Sequence, residues 1–440
     1  MISTLCLALA LATADGQANW PGFLGAGPVH VKPESIPLTW SPTMNIAWQA
    51  PLVGYGQSSP IVWGDRVFVT AVEGPDKDIC HVLAFSLADG KHLWKHSFET
   101  SDKVKSSLYV SRAAPTPVVD GRGVYAFFES GDVIALSLDG HPQWQRSLSK
   151  EFGKFQNKFG LAASPAQTAE GVIILVDDEG PSYLIALAKA DGKTLWKTER
   201  ASRVSWSSPA LVPVGGVAQV VCSSAGSVDG YDPATGKLLW TYAEVGGNTS
   251  ATPLAFAAGQ FLVGASAGRE GQNTDLAKKS NLAMKIEFDA GQPSPKVLWR
   301  NAEATPTFGS PTVYAGHAYW INRSGVVYCV DALTGETRYT DRIKGSCWAT
   351  PLGIGDRLYC FGKDGTTSVL QTGPKFKLLA ENQLWDPGSI RPDPAKAAAE
   401  TTPERQQAAA MFSGPVQYGV AAIDGTLLIR TGEVLYCIRQ

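Results

Sequence analysis

Ala186-Leu187-Ala188-Lys189-Ala190-Asp191-Gly192-Lys193-Thr194-Leu195-Trp196 decides the fold, because the chain repeats it. It returns as Ala84-Phe85-Ser86-Leu87-Ala88-Asp89-Gly90-Lys91-His92-Leu93-Trp94 and as Gly230-Tyr231-Asp232-Pro233-Ala234-Thr235-Gly236-Lys237-Leu238-Leu239-Trp240. Cys329 to Tyr339 is a further copy, and Ala135 to Trp144 is the same element one residue shorter. Each reads as a strand, a tight turn with Gly in the left-handed position, and a strand ending in a large aromatic. A Trp placed there can dock flat on a neighbouring unit and bury roughly 150–250 Å². Such docking sites, repeated along a chain, imply units stacked around a ring.

Working outward, a small or hydroxyl residue followed by Pro opens an apolar run eight times, at Pro60, Pro117, Pro165, Pro209, Pro253, Pro311, Pro351 and Pro415. The spacings of 57, 48, 44, 44, 58, 40 and 64 residues fit one four-stranded blade plus variable loops. After each Pro come short strands joined by turns such as Gly64-Asp65 and Asp120-Gly121, which are hairpin signals. Pro at a strand's first residue forfeits no interior ladder bond. The expected fold is an all-β, eight-bladed propeller of four-stranded antiparallel blades, a single domain over 19–440. The last unit supplies only three strands (Pro415–Ala421, Leu427–Arg430 and Val434–Arg439), while Asn45–Gln49 has no strand before it to pair with. Placing Asn45–Gln49 outermost in blade 8 closes the ring and removes an exposed edge. Insertions are expected at 266–281, as a polar loop inside blade 5, and at 385–411, with a short surface helix.

The repeated hairpins resemble the A-x-D-x-x-T-G-K-x-x-W motif of quinoprotein-like propellers, a group that includes pyrroloquinoline-quinone dehydrogenases and outer-membrane-assembly propeller lipoproteins. Asn19-Trp20-Pro21-Gly22-Phe23-Leu24-Gly25, Leu38-Thr39-Trp40-Ser41, Asn45-Ile46-Ala47-Trp48 and Ser58-Ser59-Pro60-Ile61-Val62-Trp63-Gly64-Asp65 are similar to bacterial PQQ-binding-like β-propeller repeat proteins. The resemblance implies a shape; both enzymes and scaffolds share it. The dehydrogenases of this group carry an adjacent Cys-Cys pair, a stacking Trp and long covering insertions. The present sequence has no Cys-Cys pair.

Composition narrows the function classes. With 38 Lys and Arg against 40 Asp and Glu and no basic run, the chain lacks the footprint of a nucleic-acid binder. No apolar stretch beyond the N-terminus is long enough for a membrane span. Leu5–Ala12 has the length of a signal-peptide h-region, and Gly16-Gln17-Ala18 offers cleavage before Asn19, with Ala12-Thr13-Ala14 as a second option. The n-region has no Lys or Arg, and a buried N-terminal strand is the alternative. Residues 1–18 are therefore expected to be a signal peptide, and the mature chain a periplasmic or extracellular monomer. Of the six remaining cysteines, Cys222, Cys329, Cys360 and Cys437 lie in apolar strand runs, which points to packed thiols.

Candidate chemistry is sparse. His92 and His96 flank Trp94 in a strand, about 13 Å apart, too far to share a metal. Asp177 and Asp178 beside Glu179 are weak metal candidates, and a charged turn is the plainer alternative. The positions three before each Pro are Gln57, Ala114, Ala162, Trp206, Ser250, Phe308, Trp348 and Phe412. In a propeller they ring one mouth of the channel, and four of the last five are aromatic. Arg112, Lys158 and Asn248 stand beside them as polar contacts. The expectation is a non-catalytic exported scaffold that binds a protein, peptide or glycan through that face, with no cofactor. The alternative is a pyrroloquinoline-quinone-dependent oxidoreductase; a hydrolase or lyase acting on polysaccharide ranks third.

Overall fold

A computed structural model of the chain describes residues 19–25, 36–107, 110–247, 249–267, 273–390 and 414–440, together with positions 403 and 406. Its strands form eight four-stranded antiparallel sheets, arranged as an eight-bladed propeller. Blade 1 sets the pattern, running outward through Ile61–Trp63, Arg66–Glu73, Ile79–Ser86 and His92–Glu99. Blades 2 to 7 span 118–147, 166–199, 210–242, 254–300, 312–342 and 352–383. The middle strands are sandwiched between neighbouring blades, which is why Gly171–Val176 is an unbroken buried apolar run. The outermost strand, Thr194–Glu199 in blade 3, meets solvent and reads polar.

Blade 8 combines Gly419–Ile423, Thr426–Arg430 and Val434–Ile438 with the N-terminal strand Ile46–Pro51, which pairs antiparallel to Val434–Ile438. The ring closes as the unpaired segment requires. Pro415, however, does not head the inner strand. By register Ile423 opposes Thr426 as Trp63 opposes Arg66, so Gly419 and Val420 stand where Ser59 and Pro60 stand in blade 1. The insertion of blade 5 also differs from a plain loop. It holds the short helix Thr274–Lys279, whose end is tied down by Asn281 Nδ2 donating to Ala277 O (2.8 Å) and Ala265 O (2.9 Å). Of the second insertion, the structure describes a single helical turn at Pro387–Ser389; most of 385–411, like 1–18, lies outside the described residues.

Two belts join the blades. In the outer one, an indole from each of five blades lies on the turn glycine of the next. Trp48 covers Gly90, Trp94 covers Gly140, Trp144 covers Gly192, Trp196 covers Gly236 and Trp299 covers Gly335. Each indole N–H donates to a carbonyl of that same turn, at Leu87, Leu138, Lys189, Pro233 and Ala332, over 2.9–3.1 Å. These glycines have φ of 70–84°, and a Cβ on any of them would lie 2.3–2.7 Å from the indole ring. Turn geometry and ring contact therefore both exclude a side chain. Trp240 departs from the pattern, because the corresponding turn of blade 5, Asp289-Ala290-Gly291, has no such seat. Its N–H donates within blade 4 to Gln219 Oε1 (2.7 Å), while its ring stacks on Phe261 of blade 5.

The inner belt uses the hydroxyl that precedes each proline. The backbone N–H of Ser59, Thr116, Ser164, Ser208, Thr252 and Ser310 each donates to the hydroxyl of the next blade's equivalent, ending at Thr350, over 2.8–3.0 Å. Proline ends the chain's own pairing there, so a neighbouring hydroxyl satisfies an amide that would otherwise be orphaned. The ladder stops at Gly419, which has no hydroxyl to offer. At that seam Arg430 reaches from blade 8 to blade 1, donating to Ser58 O (3.1 Å), Ser58 Oγ and Thr70 O.

Residues 19–21 cross the inner strands at the end of the hairpin turns. Trp20 exchanges backbone hydrogen bonds with Val62 of blade 1, and Pro21 O accepts from Val119 N of blade 2. Trp20 is buried, packed in the core that joins blades 7, 8 and 1.

Two outcomes are expected. Gly192→Ala should lower stability by about 2–4 kcal/mol, from left-handed strain plus overpacking on Trp144. Gly316→Ala, at φ 76° but with open space around it, should cost only about 1 kcal/mol; urea midpoints of both variants measure the difference. Deleting residues 19–51 should expose the Val434–Ile438 edge and yield aggregates on size-exclusion chromatography; a monomeric, cooperatively folding truncation would show that closure does not need this strand.

Candidate functional site

In an antiparallel blade whose inner strand runs away from its proline, the interblade connectors and the turns between second and third strands share one end of the ring. The residues singled out beside the prolines therefore face the end opposite to the docking turns and to Trp20. Gln57, Ala114, Ala162, Trp206, Ser250 and Trp348 are half-buried there and Phe308 is exposed. Phe412 and Asn248 lie outside the described residues. In blade 8 the register puts Gln417 at the matching position, and it is buried, its Nε2 donating to Gly362 O (2.6 Å) and Thr366 O (3.1 Å) of blade 7.

The aromatics form two groups. In one, Phe308 stacks on Trp348 (4.2 Å between ring centroids), Trp348 meets Tyr418 edge-on (5.8 Å), and Tyr418 meets Tyr55 (6.1 Å). The phenol oxygens of Tyr55 and Tyr418 are 2.8 Å apart and share a hydrogen bond. Arg112 ends this run, its guanidinium 3.4 Å above the face of Tyr55. In the other, Phe159 packs at 6.1 Å from Trp206, whose N–H donates to Gly160 O (3.0 Å), and Lys158 lies 5.8 Å from the Phe159 ring. Tyr55, Tyr418 and Phe159 do not emerge from the three-before-Pro spacing. The local signal for the two tyrosines is an aromatic beside glycine, in Gly54-Tyr55-Gly56 and Tyr418-Gly419.

Arg112 is held by a buried frame. Gln57 N donates to Arg112 O (3.0 Å) and Arg112 N to Gln57 Oε1 (2.8 Å). The Glu129 carboxylate accepts from Ala113 N (3.0 and 3.1 Å) and pairs with Lys77 (2.9 Å), both side chains being almost wholly buried. Lys77 in turn donates to Ser111 O (2.5 Å). Ala113 sits at φ 45°, a strained conformation for alanine that these contacts maintain. Burial, reinforced by Tyr418 and opposed by Arg112, holds the Tyr55 phenol well above its ordinary range, so it stays a neutral donor.

Arg430 lies just beneath. It is fully buried, forms no ion pair among the described residues, and leaves its Nε without a hydrogen bond. Burial lowers its pKa to about 9, which still leaves it charged at neutral pH.

Asp177 and Asp178 are both buried and each accepts hydrogen bonds within the protein, while Glu179 beside them is exposed. Asp177 Oδ1 accepts from Arg200 Nε (2.9 Å), and its Oδ2 from Ser205 Oγ (2.6 Å) and Ser224 Oγ. Arg200 also reaches Asp229 (3.2 Å) and Tyr231 OH, so two carboxylates of blades 3 and 4 share one guanidinium. Asp178 Oδ2 accepts from the backbone N–H of Gln156 (2.8 Å) and Gly180 (3.0 Å), which shapes the loop. Among the described residues no group of three or more His, Cys, Asp or Glu side chains could hold a metal ion. The described cysteines are all buried free thiols, as the strand pattern indicates.

The geometry thus defines a quinoprotein-like eight-bladed propeller with one face of connectors bearing an aromatic and cationic mouth. The family model described as outer membrane protein assembly factor BamB matches residues 40–160, 153–287 and 287–431, and the chain belongs to this family. It is 28% identical over 229 residues to outer membrane protein assembly factor BamB of Burkholderia pseudomallei, covering 52% of this chain and 53% of that protein. It is 25% identical over 166 residues to the protein of the same name from Xanthomonas campestris pv. campestris, covering 38% and 36%. The chain therefore spans about half or less of the curated relatives it matches. Among solved structures it is similar to BamB from Moraxella catarrhalis (TM-score 0.56, 14% identity, 90% of this chain and 98% of that one). It is also similar to quinohemoprotein alcohol dehydrogenase from Comamonas testosteroni (TM-score 0.59, 12% identity, 95% and 80%). At these identities the structural likeness establishes the fold alone.

Replacing Asp177 by Asn should cost about 3–5 kcal/mol, because Arg200 is left with an under-compensated buried charge. Adding Ca²⁺ or EGTA to the parent protein should leave the thermal midpoint unchanged; a midpoint that chelation lowers would reinstate a cation at Asp177 and Asp178.

Proposed function

We propose that this protein is an exported, non-catalytic scaffold that holds a protein partner against its connector face. The observation that carries the reading is the aromatic run Phe308–Trp348–Tyr418–Tyr55, partly open to solvent and ending on Arg112. Aromatic and arginine side chains on a rigid frame are the anchors from which protein interfaces draw most of their energy. Membership of a family described by an assembly factor supports a protein partner over a small substrate, and supports a role in outer-membrane assembly. Export is supported by the apolar Leu5–Ala12 segment and by the outer-membrane description of the relatives. Among the described residues no helix is long and apolar enough to cross a membrane.

Site-specific photo-crosslinking in the native cell tests this reading. A benzophenone at Phe159 or Phe308 should give discrete protein adducts. The same probe at Leu333, 72% exposed on a docking turn at the opposite end, should give none. Adducts from Leu333 alone would move the interface to the other face. Alcohol or sugar oxidation dependent on pyrroloquinoline quinone and Ca²⁺ would replace the scaffold reading with the oxidoreductase one.

A further inference from the structure

The run of rings ends in an excess of hydrogen-bond donors and positive charge. Arg112 is 9% exposed, makes no ion pair among the described residues, and has a buried Nε without a partner. Arg430, behind the same loop, is a second guanidinium with no ion pair among the described residues, and its amino group presses so closely on Gly56 that a Cβ there would lie 2.1 Å away. The nearby acids do not restore the balance. Glu129 is already paired with Lys77, and among the described residues no carboxylate lies within ion-pair distance of either arginine. The tyrosine pair adds one more donor, since two phenols sharing one hydrogen bond leave one O–H proton for an acceptor. A planar guanidinium, a spare phenol proton and unbalanced positive charge complement a carboxylate. The Phe308–Trp348 stack beside them is an apolar shelf.

We propose that the mouth binds a partner protein through an acidic side chain neighboured by an aromatic residue, the carboxylate meeting Arg112 and the Tyr55–Tyr418 pair and the aromatic lying on Phe308 and Trp348. The inference rests on the scaffold reading and names the chemistry of its partner. The guanidinium is pre-set on Tyr55 by the frame of Gln57, Glu129 and Lys77, so little side-chain freedom is lost on binding. Arg430 acts at a distance, since a buried charge is poorly screened and adds to the potential at the mouth.

The probes are the blocked peptides acetyl-Gly-Phe-Asp-Gly-amide and its Asn counterpart, titrated into the full chain while tryptophan fluorescence is followed. The Asp peptide should bind at least tenfold more tightly than the Asn peptide, and added salt should weaken it. Arg112→Gln should abolish the preference for Asp at an unchanged thermal midpoint. Should that variant unfold, Arg112→Lys, which keeps the charge and loses the planar fork, should reduce the preference several-fold, and Tyr418→Phe should reduce it further. Equal binding of the two peptides, or no saturable binding of either, would overturn the proposal. So would pyrroloquinoline quinone displacing the Asp peptide at lower concentration, because the site would then suit an aromatic polycarboxylate cofactor. If mouth crosslinks persist in Arg112→Gln and the peptides show no preference, the carboxylate assignment fails while the scaffold reading stands.

Discussion

An indole lying on a glycine whose φ is positive joins one blade of this protein to the next, and most of the architecture follows from it. The glycine lets the hairpin turn tightly, and its missing side chain leaves a flat seat for the ring of the preceding blade. The indole N–H then satisfies a turn carbonyl that would otherwise face the interface unpaired. A single blade has two apolar faces and cannot cover either alone, so each contact of this kind stabilises two blades at once. The hydroxyl ladder from Ser59 to Thr350 repeats the logic at small radius, where the strands are too close for indoles. Ring closure by Ile46–Pro51 completes the set, with Trp48 of that strand taking its seat on Gly90 of blade 1.

Where either belt lapses, something else takes its place, and the substitutes give the molecule its asymmetry. No indole reaches Gly291, the turn glycine of blade 5, and a stack on Phe261 replaces the seat for Trp240. Blade 8 offers no hydroxyl at Gly419, and Arg430 crosses the seam instead. The second lapse has the wider consequence. It brings a guanidinium that forms no ion pair among the described residues under the connectors of blades 8 and 1, beside Tyr55, Tyr418 and Arg112. A perfectly repeated ring would present the same residue eight times around its mouth; the distinctive chemistry of this one gathers at the seam where the repeat is broken.

How much of this could be read from residues alone depends on the range of the interaction. The period of the hairpins, the hydroxyl-proline steps and the glycine-to-tryptophan spacing are local and repeated, so chain order reveals blade number, strand order and the partner of the N-terminal strand. The buried thiols were legible for the same reason, since an unbroken apolar strand run marks the middle of a blade. The position of several rings around the mouth was legible through the prolines that head seven of the eight inner strands.

Pairings between distant residues were not. Asp177 meets Ser224 only after two blades have stacked, so nothing in the sequence marks this one member of the charged triplet as a buried partner of Arg200, while Asp178 shapes the loop and Glu179 is exposed. Tyr55 and Tyr418 are 363 positions apart and share a hydrogen bond only because the ring closes between them. The eighth proline misled because spacing counts residues, whereas register follows ladder pairing, and Gly419 rather than Gly414 stands at the hydroxyl position. The sequence by itself determined the ring, because that rests on short-range patterns repeated from blade to blade. Tertiary structure alone decided where charge is left unpaired, because that balance is struck between side chains which chain order keeps apart.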